Sequence, residues 1–386
     1  MKLAFVVHIS DSAIDCFEEN TDLSLVTSYR EHLQCYFDFH STMDGTKQKY
    51  FRQLGIEAES FYYNYENLQN KWKKEYQPGL RSSDDILIAQ LRAFEPDVIL
   101  FAGRKHLLQR VKSDVPSIRL VVGWSGSAFR SWNFDPHLYN LILTCAKENL
   151  PRIREQSYRV ELVEHVFDCD VIKYLVEHPK NNNIIFTGGL VSGPATHDYR
   201  IQLVTSLCKA FPNFNLYTEK PSETSTWKRH LFKLKQKWRS FSRFIRRKIT
   251  WEDLKLQATL QAILYTSRTP VFGIPMYQAC RDSEVSLNVH ANSSPLYASN
   301  MRLFETAGAG GCTLTDWKTN IKDIFEQDYE VVTYNSIDEC IEKAQWLHDH
   351  PMQREEIAQA GQKRCLRDHT PEKQVGQIHD AIRKYL

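Results

Sequence analysis

Short apolar runs that alternate with helical segments are the feature that most restricts how this chain of 386 residues can fold. The runs occupy residues 3–9, 98–101, 118–122, 141–144, 183–187, 214–217, 285–290 and 312–315. The first run is continuously apolar, which is typical of a strand buried on both faces of a parallel sheet. Strands that alternate with helices in this way predict β-α-β units and an α/β fold.

The length of the chain favours two domains rather than one. We predict one sheet in residues 1–168, a second in residues 169–370, and a separate helix in residues 371–386. The formal net charge is +2, so no overall field attracts nucleic acid, and we expect no nucleic-acid partner.

Cysteine spacing and hydropathy indicate the compartment. The nine cysteines are scattered without a Cys-x-x-Cys pair, which fits a reducing cytosol and argues against a zinc site. No stretch approaches the roughly 20 apolar residues of a membrane span, and the apolar start of the chain is too short for a signal peptide. We therefore expect a cytoplasmic protein, or one attached to the inner face of the cytoplasmic membrane.

Residues 270–316 carry the most information about function. They are predicted to form helix, strand, polar loop, helix and strand, with Asn300 capping a helix that carries Arg302 and Glu305. An acidic residue in the first turn of such a helix can accept hydrogen bonds from a ribose diol, and the free amides of the helix start suit a phosphate. Both groups would lie at the carboxyl ends of parallel strands, where ligands bind in open α/β sheets.

Several motifs in this part of the chain occur in a fixed order. They are Asn300-Met-Arg-Leu-Phe-Glu305, the Gly-Ala-Gly-Gly311 turn, Leu314-Thr-Asp316, Phe325-Glu-Gln-Asp-Tyr-Glu-Val-Val-Thr-Tyr334, Arg354-Glu-Glu-Ile-Ala-Gln-Ala-Gly361 and Arg367-Asp-His-Thr370. Together they resemble the donor-site core of the CgeB-like ("spore maturation") glycosyltransferases. These are two-domain GT-B enzymes distantly similar to the retaining family 4, and the resemblance covers roughly the last third of the chain.

The resemblance implies a GT-B fold, in which two Rossmann-like domains with parallel sheets face each other across a cleft and the last helix crosses back to the first domain. It also implies a hexosyltransferase of polysaccharide biosynthesis, with a nucleotide sugar as donor and a glycan or lipid-linked acceptor. In the related family two glutamates lie eight positions apart, the second on the ribose and the first on the donor sugar. Glu305 matches the second, whereas Tyr297 occupies the first position.

Eight residues are predicted to bind the donor. They are Gly188, Gly189, Asn288, His290, Asn300, Arg302, Phe304 and Glu305. Glycines after a strand expose amides to a phosphate, although a Gly-Gly pair is more often a simple turn. His290 is expected to point towards the cleft, where its imidazole could neutralise phosphate charge. The alternative for Arg302 and Glu305 is a solvent-exposed arginine beside a helix-capping glutamate.

On the first domain, His8 and Asp11 follow the first strand and are candidate catalytic bases. An inverting enzyme needs a base that takes the proton of the acceptor hydroxyl, whereas a retaining enzyme would use the donor phosphate oxygen. The alternatives are a histidine satisfied within the sheet and an aspartate that caps the next helix. Trp124 and Ser125 are predicted to form an acceptor wall, because an aromatic face packs well on a sugar ring; core packing is the alternative.

Residues 227–249 combine tryptophans at helical spacing with ten basic side chains. Such an amphipathic helix fits the interface of an anionic membrane and would place the enzyme beside a lipid-linked acceptor. The equally weighted alternative is a helix whose apolar stripe packs on its own domain.

We expect metal-independent transfer with no cofactor besides the donor, since fixed amides and cations aimed at a developing negative charge can replace a metal. Two other functions stay open. One is a nucleotide-sugar epimerase on the same scaffold, and the other is a non-catalytic sugar-nucleotide-binding protein.

Overall fold

The computed structural model describes residues 1–126, 134–181, 183–190, 198–219, 251–292 and 294–386. The predicted basic helix at residues 227–249 lies outside these ranges. Two parallel sheets organise the described residues, one in each half of the chain.

The first sheet has six parallel strands in the order β2-β1-β3-β4-β5-β6. They are β1 (Lys2–Val7), β2 (Glu57–Tyr62), β3 (Val98–Phe101), β4 (Leu120–Trp124), β5 (Leu141–Thr144) and β6 (Val160–Leu162). Leu3, Ala4 and Val6 of β1 are completely buried, as the continuous apolar run predicts. The strand order reverses between β1 and β3, which opens a crevice at their carboxyl ends.

Among the described residues, seven α-helices lie between consecutive strands of this sheet. They are α1 (Asp11–Asn20), α2 (Tyr29–Asp38), α3 (Asp44–Gln53), α4 (Glu66–Tyr76), α5 (Ser83–Phe94), α6 (Lys105–Asp114) and α7 (Asn149–Arg154). Ser10, Ser28 and Ser82 cap α1, α2 and α5 by accepting an amide hydrogen bond of the first turn. These serines fix where the three helices begin.

The second sheet has five parallel strands in the order β11-β10-β9-β7-β8. They are β7 (Ile184–Thr187), β8 (Phe214–Tyr217), β9 (Val285–Asn288), β10 (Thr313–Asp316) and β11 (Val332–Tyr334). Here the order reverses between β7 and β9, so the corresponding crevice lies at the carboxyl ends of those two strands.

Eight described helices accompany the second sheet and end the chain. They are α8 (Asp198–Ala210), α9 (Trp251–Thr266), α10 (Gly273–Asp282), α11 (Met301–Ala309), α12 (Ile321–Ile324), α13 (Ile337–Asp349), α14 (Pro351–Asp368) and α15 (Pro371–Tyr385). Among the described residues, no helix is both long and apolar enough to cross a bilayer.

The last helix returns to the first sheet. Val375, Ile378 and Ile382 of α15 are buried in one cluster with Leu3 and Phe5 of β1. Because these apolar side chains recur on one face of α15, the helix buries that face on the first sheet. The predicted crossing back of the C-terminal helix is confirmed.

Candidate functional site

A carboxylate and a guanidinium lie together at the reversal of the second sheet. Arg302 of α11 donates from Nε to the carbonyl oxygen of Thr187, the last residue of β7, at 3.2 Å. Its Nη1 lies 2.9 Å from Oε2 of Glu305, which is only 8% exposed. Helix α11 therefore brings a nearly buried ion pair to the carboxyl end of β7.

A chain of side-chain amides fixes the start of α11. Asn300 caps the helix by accepting the amide hydrogen of Leu303 at 3.3 Å, and its Nδ2 donates to Oδ1 of Asn288 at 2.7 Å. Asn288, which ends β9, donates in turn to the hydroxyl of Thr315 in β10 at 2.8 Å. The two predicted asparagines thus tie the helix start to two strands of the sheet.

The cap also corrects the predicted position of Glu305. Since the helix begins at Met301, the first turn contains no acidic residue, and Glu305 lies in the second turn. The expectation of a first-turn carboxylate was wrong. A spacing of three residues still leaves Glu305 on the same helix face as Arg302, which is why they pair.

His290 and Asp316 form a buried pair beneath this surface. Nδ1 of His290 lies 2.7 Å from Oδ1 of Asp316, and the backbone amide of His290 donates to the same oxygen at 3.0 Å. The imidazole is fully buried, and its Nε2 has no hydrogen-bond partner among the residues that the structure describes. The expectation that His290 points into the cleft was wrong, because Asp316 draws the ring inward.

Asp316 is held in its charged form. Burial alone would raise the pKa of this carboxyl, but the charge and hydrogen bonds of His290, together with Lys318, lower it to about 2. The ammonium of Lys318 lies 3.1 Å from Oδ2 of Asp316. In the sequence analysis, Asp316 was named only as part of a motif, and Lys318 was missed. Asp316 could have been recognised as a candidate because it is a polar residue at the end of a strand.

The loop before α11 is fixed by the segment that follows β10. Lys318 donates to the carbonyl oxygen of Pro295 at 3.0 Å, and the amide and hydroxyl of Thr319 donate to that of Leu296 at 2.9 and 2.8 Å. Asn320 accepts the amide hydrogen of Ala298 at 2.7 Å. Tyr297 lies within this anchored stretch, at the position that the resemblance assigns to a sugar-contacting glutamate.

The two glycines after β7 differ. The Gly188 amide donates to the carbonyl oxygen of Tyr217 at 3.1 Å, so the neighbouring strand already uses it. Gly189 is exposed, and a Cβ there would meet no atom of the described residues within 4 Å, so none of those residues covers its backbone. Of the predicted pair, Gly189 is the residue that a ligand can approach.

Arg200 of α8 joins the loops on both sides of the crevice, and sequence reasoning missed it. It donates to the carbonyl oxygens of Gly189 at 3.0 Å and of Val289 at 2.7 Å. Burial lowers its pKa to about 10, so the guanidinium stays charged at neutral pH. No local pattern marks this arginine, because its partners come from distant strands.

The glycines at the C-terminal end of α11 serve packing and chain reversal. A Cβ on Gly308, in the last turn of the helix, would overlap the ring of Phe167, and one on Gly311 would lie 2.6 Å from the carbonyl oxygen of Cys280. Gly310 ends the helix with a φ of +85°, which favours glycine. Together these glycines form the connection between α11 and β10.

Phe304 is a core residue. It is 3% exposed, and its ring packs against those of Phe325 and His369, with centroids 6.0 and 5.0 Å away. The side chain of Phe304 lies on the face of α11 that packs inward, and its predicted contact with the donor stays a prediction.

The reversal of the first sheet carries the predicted bases. His8 follows β1, is exposed, and has Nδ1 3.2 Å from the hydroxyl of Tyr63. Asp11 is exposed at the start of α1, where Ser10 and not Asp11 provides the side-chain cap. The neighbouring Ser12 donates to Glu219 in the second half of the chain at 3.0 Å. This end of the first sheet therefore faces the carboxyl edge of the second.

Trp124 and Ser125 end β4 at the same edge. Trp124 is half-buried, with its ring centroid 5.6 Å from that of His165. Burial, and the charge of Lys47, lower the pKa of His165 to about 3, so this ring is neutral. Ser125 is buried, and its carbonyl oxygen accepts the hydroxyl of Thr144 at 2.6 Å.

An Asp-x-Asp sequence, which could hold a metal, occurs at Asp168-Cys169-Asp170 and escaped the sequence reasoning. Its carboxylates are already engaged in joining the two halves of the chain. Asp168 lies 2.7 Å from Nδ1 of His40 and accepts the Thr46 hydroxyl at 2.9 Å, while Asp170 lies 2.9 Å from Nζ of Lys49. In the described ranges, no three His, Cys, Asp or Glu side chains are grouped so that they could hold a metal ion.

A family model and several solved structures are similar to this chain. Residues 233–380 match the family model described as "Glycosyl transferase-like". None of the curated protein sequences matches the chain significantly.

Solved structures resemble the whole chain. HepE from Anabaena in complex with UDP-glucose has 12% identity and a TM-score of 0.53, covering 100% of both chains. Sucrose-phosphate synthase from Thermosynechococcus elongatus has 10% identity and a TM-score of 0.52, covering 100% of this chain and 98% of that one. A glycosyltransferase from Rickettsia africae has 10% identity and a TM-score of 0.50 with the same coverage.

At these identities the likeness shows the fold alone. The chain has the GT-B fold, with two Rossmann-like parallel sheets facing across a cleft, as the sequence predicted. The similarity to the glycosyltransferase-like family model is confined to residues 233–380.

Proposed function

We propose that the protein is a CgeB-like glycosyltransferase that transfers a hexosyl group from a nucleotide sugar to a glycan or lipid-linked acceptor during polysaccharide biosynthesis. The observation that carries the proposal is the Arg302–Glu305 pair at the carboxyl end of β7, within a domain that matches a glycosyltransferase-like family. In open parallel sheets, ligands bind at such a reversal of strand order.

In this proposal Glu305 accepts hydrogen bonds from the two ribose hydroxyls of the donor. Arg302 holds Oε2 of Glu305 and so orients the carboxylate, while its guanidinium lies near the diphosphate. The exposed backbone at Gly189 lets a phosphate approach. Asn288 and Asn300 fix the start of α11, and His290 supports the same strand from below.

The chemical step breaks the bond between the anomeric carbon and the diphosphate oxygen and forms one to an acceptor hydroxyl oxygen. The nucleoside diphosphate leaves with the bonding electron pair, and the start of α11 with Arg302 stabilises its charge without a metal. In an inverting reaction the acceptor proton passes to His8, with Asp11 as the other candidate. In a retaining reaction it passes to an oxygen of the leaving phosphate.

The acceptor in this proposal binds against the first domain, between His8 and the wall formed by Trp124 and Ser125. Transfer takes place in the cytoplasm, or at the inner membrane face if residues 227–249 bind anionic lipid. Co-sedimentation with vesicles of phosphatidylglycerol at low and high salt measures that contact. Failure to sediment at low salt would remove the membrane part of the proposal.

Calorimetric titration with UDP, GDP and their glucose and mannose derivatives tests the proposed activity. With EDTA present, we expect one nucleotide family to bind and its sugar derivative to release free nucleotide. Interconversion of the sugar without acceptor would instead identify an epimerase, and binding without turnover would identify a non-catalytic protein. Dependence on added Mg²⁺ or Mn²⁺ would contradict metal-independent transfer.

Glu305→Ala tests the proposed ribose contact. We expect donor affinity to fall by about 100-fold, because hydrogen bonds to a charged group are lost and Arg302 keeps no partner carboxylate. Glu330→Ala is the matched control. Glu330 is part-buried and lies 3.8 Å from Arg364. It precedes β11, so it lies at the amino ends of the strands, whereas the site lies at their carboxyl ends. Equal donor affinity in the Glu305 variant and the wild type would refute the contact.

A further inference from the structure

A carboxylate of the first domain binds the loop that precedes α11. Glu148 lies beyond the carboxyl end of β5, and its Oε1 accepts the amide hydrogens of Leu296 at 3.2 Å and Tyr297 at 2.9 Å. The ammonium of the adjacent Lys147 lies 5.8 Å from the centre of the Tyr297 ring. Two consecutive side chains of the first domain thus hold one short stretch of the second.

The remaining oxygen of Glu148 is enclosed as well. Oε2 is buried and has no hydrogen-bond partner within the described ranges. Leaving a carboxylate oxygen without a partner costs free energy, which the two amide bonds on Oε1 must offset. The contact forms only when the edges of the two sheets meet, so its stability depends on a closed cleft.

Within the described part of its own domain, the Glu148 carboxylate makes no comparable contact. Glu148 occupies the cap position of α7, but its side chain makes no capping hydrogen bond there. Removing the carboxylate therefore breaks no capping hydrogen bond at the start of α7, whereas it removes the contact across the cleft.

The loop that Glu148 holds is also held from the other side. Thr319 and Asn320 bind the backbone of Leu296 and Ala298, and Asn300, the cap of α11, follows two residues later. Residues 294–299 therefore lie between an anchor in their own domain and an anchor in the opposite one. The segment that leads into α11 is thus hydrogen-bonded to both domains.

We propose that Glu148 is a positioning residue that latches the cleft in its closed form and sets the loop beside the start of α11 for donor binding. This inference rests on the proposed function for its effect on the donor, whereas the latch itself is a property of the two domains. Binding is reciprocal, so a closed cleft favours the donor and the donor favours the closed cleft by the same factor.

Glu148→Ala tests the latch with two independent measurements. We expect the radius of gyration in small-angle X-ray scattering of the ligand-free protein to rise, since the cleft opens. We expect donor affinity to fall by about tenfold, the size of effect that loss of hydrogen bonds to a charged group produces.

Two variants serve as controls. In Glu148→Gln the amide oxygen can still accept both amide hydrogens, because both bonds end on Oε1, so scattering and affinity should return most of the way to wild type. Glu155→Ala removes an exposed carboxylate at the other end of α7 and should change neither measurement.

The outcomes separate the latch from the proposed function. If the wild type binds no nucleotide sugar, the proposed function fails, and scattering alone decides on the latch. If Glu148→Ala scatters like the wild type and binds the donor equally well, the latch is refuted. If Glu148→Ala does not fold, Glu148→Gln decides instead. An open cleft in the scattering of Glu148→Gln would refute the latch, because this variant keeps the oxygen that accepts both amide hydrogens.

Discussion

The two reversals of strand order share a topology but differ in how their side chains are held. At the β7–β9 reversal, Asn288, Asp316 and Glu305 are between 1% and 8% exposed. Their side chains pair with those of Thr315, His290 and Arg302, respectively. At the β1–β3 reversal, His8 is exposed, and the guanidinium of Arg104 lies over the ring of Tyr63 at 5.6 Å. One crevice is lined by a buried network and the other by open side chains.

This difference suits two kinds of ligand. Buried polar groups must satisfy one another, so a network such as Asn300–Asn288–Thr315 is fixed before any ligand arrives. A fixed site suits the constant part of a donor, its nucleotide. Exposed side chains keep their rotational freedom and can adapt to an acceptor of varied size. In the proposed function, the donor and acceptor sites share the same strand topology. They differ in how far their polar side chains are buried.

The largest effect is expected at the exposed residues of the β1–β3 reversal. His8→Ala should lower the transfer rate by about 100-fold if this imidazole takes the acceptor proton, with donor affinity and the unfolding midpoint unchanged. Tyr63→Phe is the matched variant, since it removes only the hydroxyl that lies 3.2 Å from Nδ1 of His8. A loss of less than about threefold in His8→Ala would show that the proton goes elsewhere, as in a retaining reaction.

A smaller effect, on the stability of the fold, is expected at the buried residues of the β7–β9 reversal. Asp316→Asn should lower the free energy of unfolding by about 2–3 kcal/mol at pH 7, because Asp316 is stabilised in its charged form by His290 and Lys318. The folded pKa of about 2 lies below the ordinary value of 3.8, so this stabilisation is present above pH 3.8 and is lost as the pH falls towards 2. Urea denaturation of both proteins between pH 7 and pH 2.5 measures it.

A constant difference in unfolding free energy over that range would contradict the charged role of Asp316. Asp323→Asn, at an exposed position of α12, is the control and should show no pH-dependent difference from wild type.

The smallest effect distinguishes two glycines of the second domain. Gly308→Ala should destabilise the fold by about 1–2 kcal/mol, since its Cβ would overlap the ring of Phe167. Gly189→Ala should leave stability nearly unchanged, because its Cβ meets no atom of the described residues within 4 Å, but should weaken donor binding. Equal stability of the two variants would show that the Gly308–Phe167 contact gives way at little cost.

In the first sheet, local pattern was sufficient for the four continuously apolar strands and insufficient for the two edge strands. The runs at β1, β3, β4 and β5 identify themselves because both faces are buried. Strand β2, Glu57–Tyr62, lies at an edge and begins with polar residues, and β6 has only three residues. Neither carries enough apolar periodicity to be distinguished from a loop.

For the candidate site, the sequence by itself determined that a helix follows Asn300 and that Asn300 caps it, because capping and hydrophobic spacing act over a few residues. It also marked Arg302 and Glu305 as a pair. Only the tertiary structure decided that Phe304 faces the core and that His290 is drawn inward by Asp316.

The tertiary structure alone also brought Arg200 and Glu148 to the loops around α11. Their hydrogen bonds join residues that are about 90 and 150 positions apart in the chain. A sequence pattern records neighbours along the chain, whereas these contacts exist only because two sheets place the ends of their strands face to face.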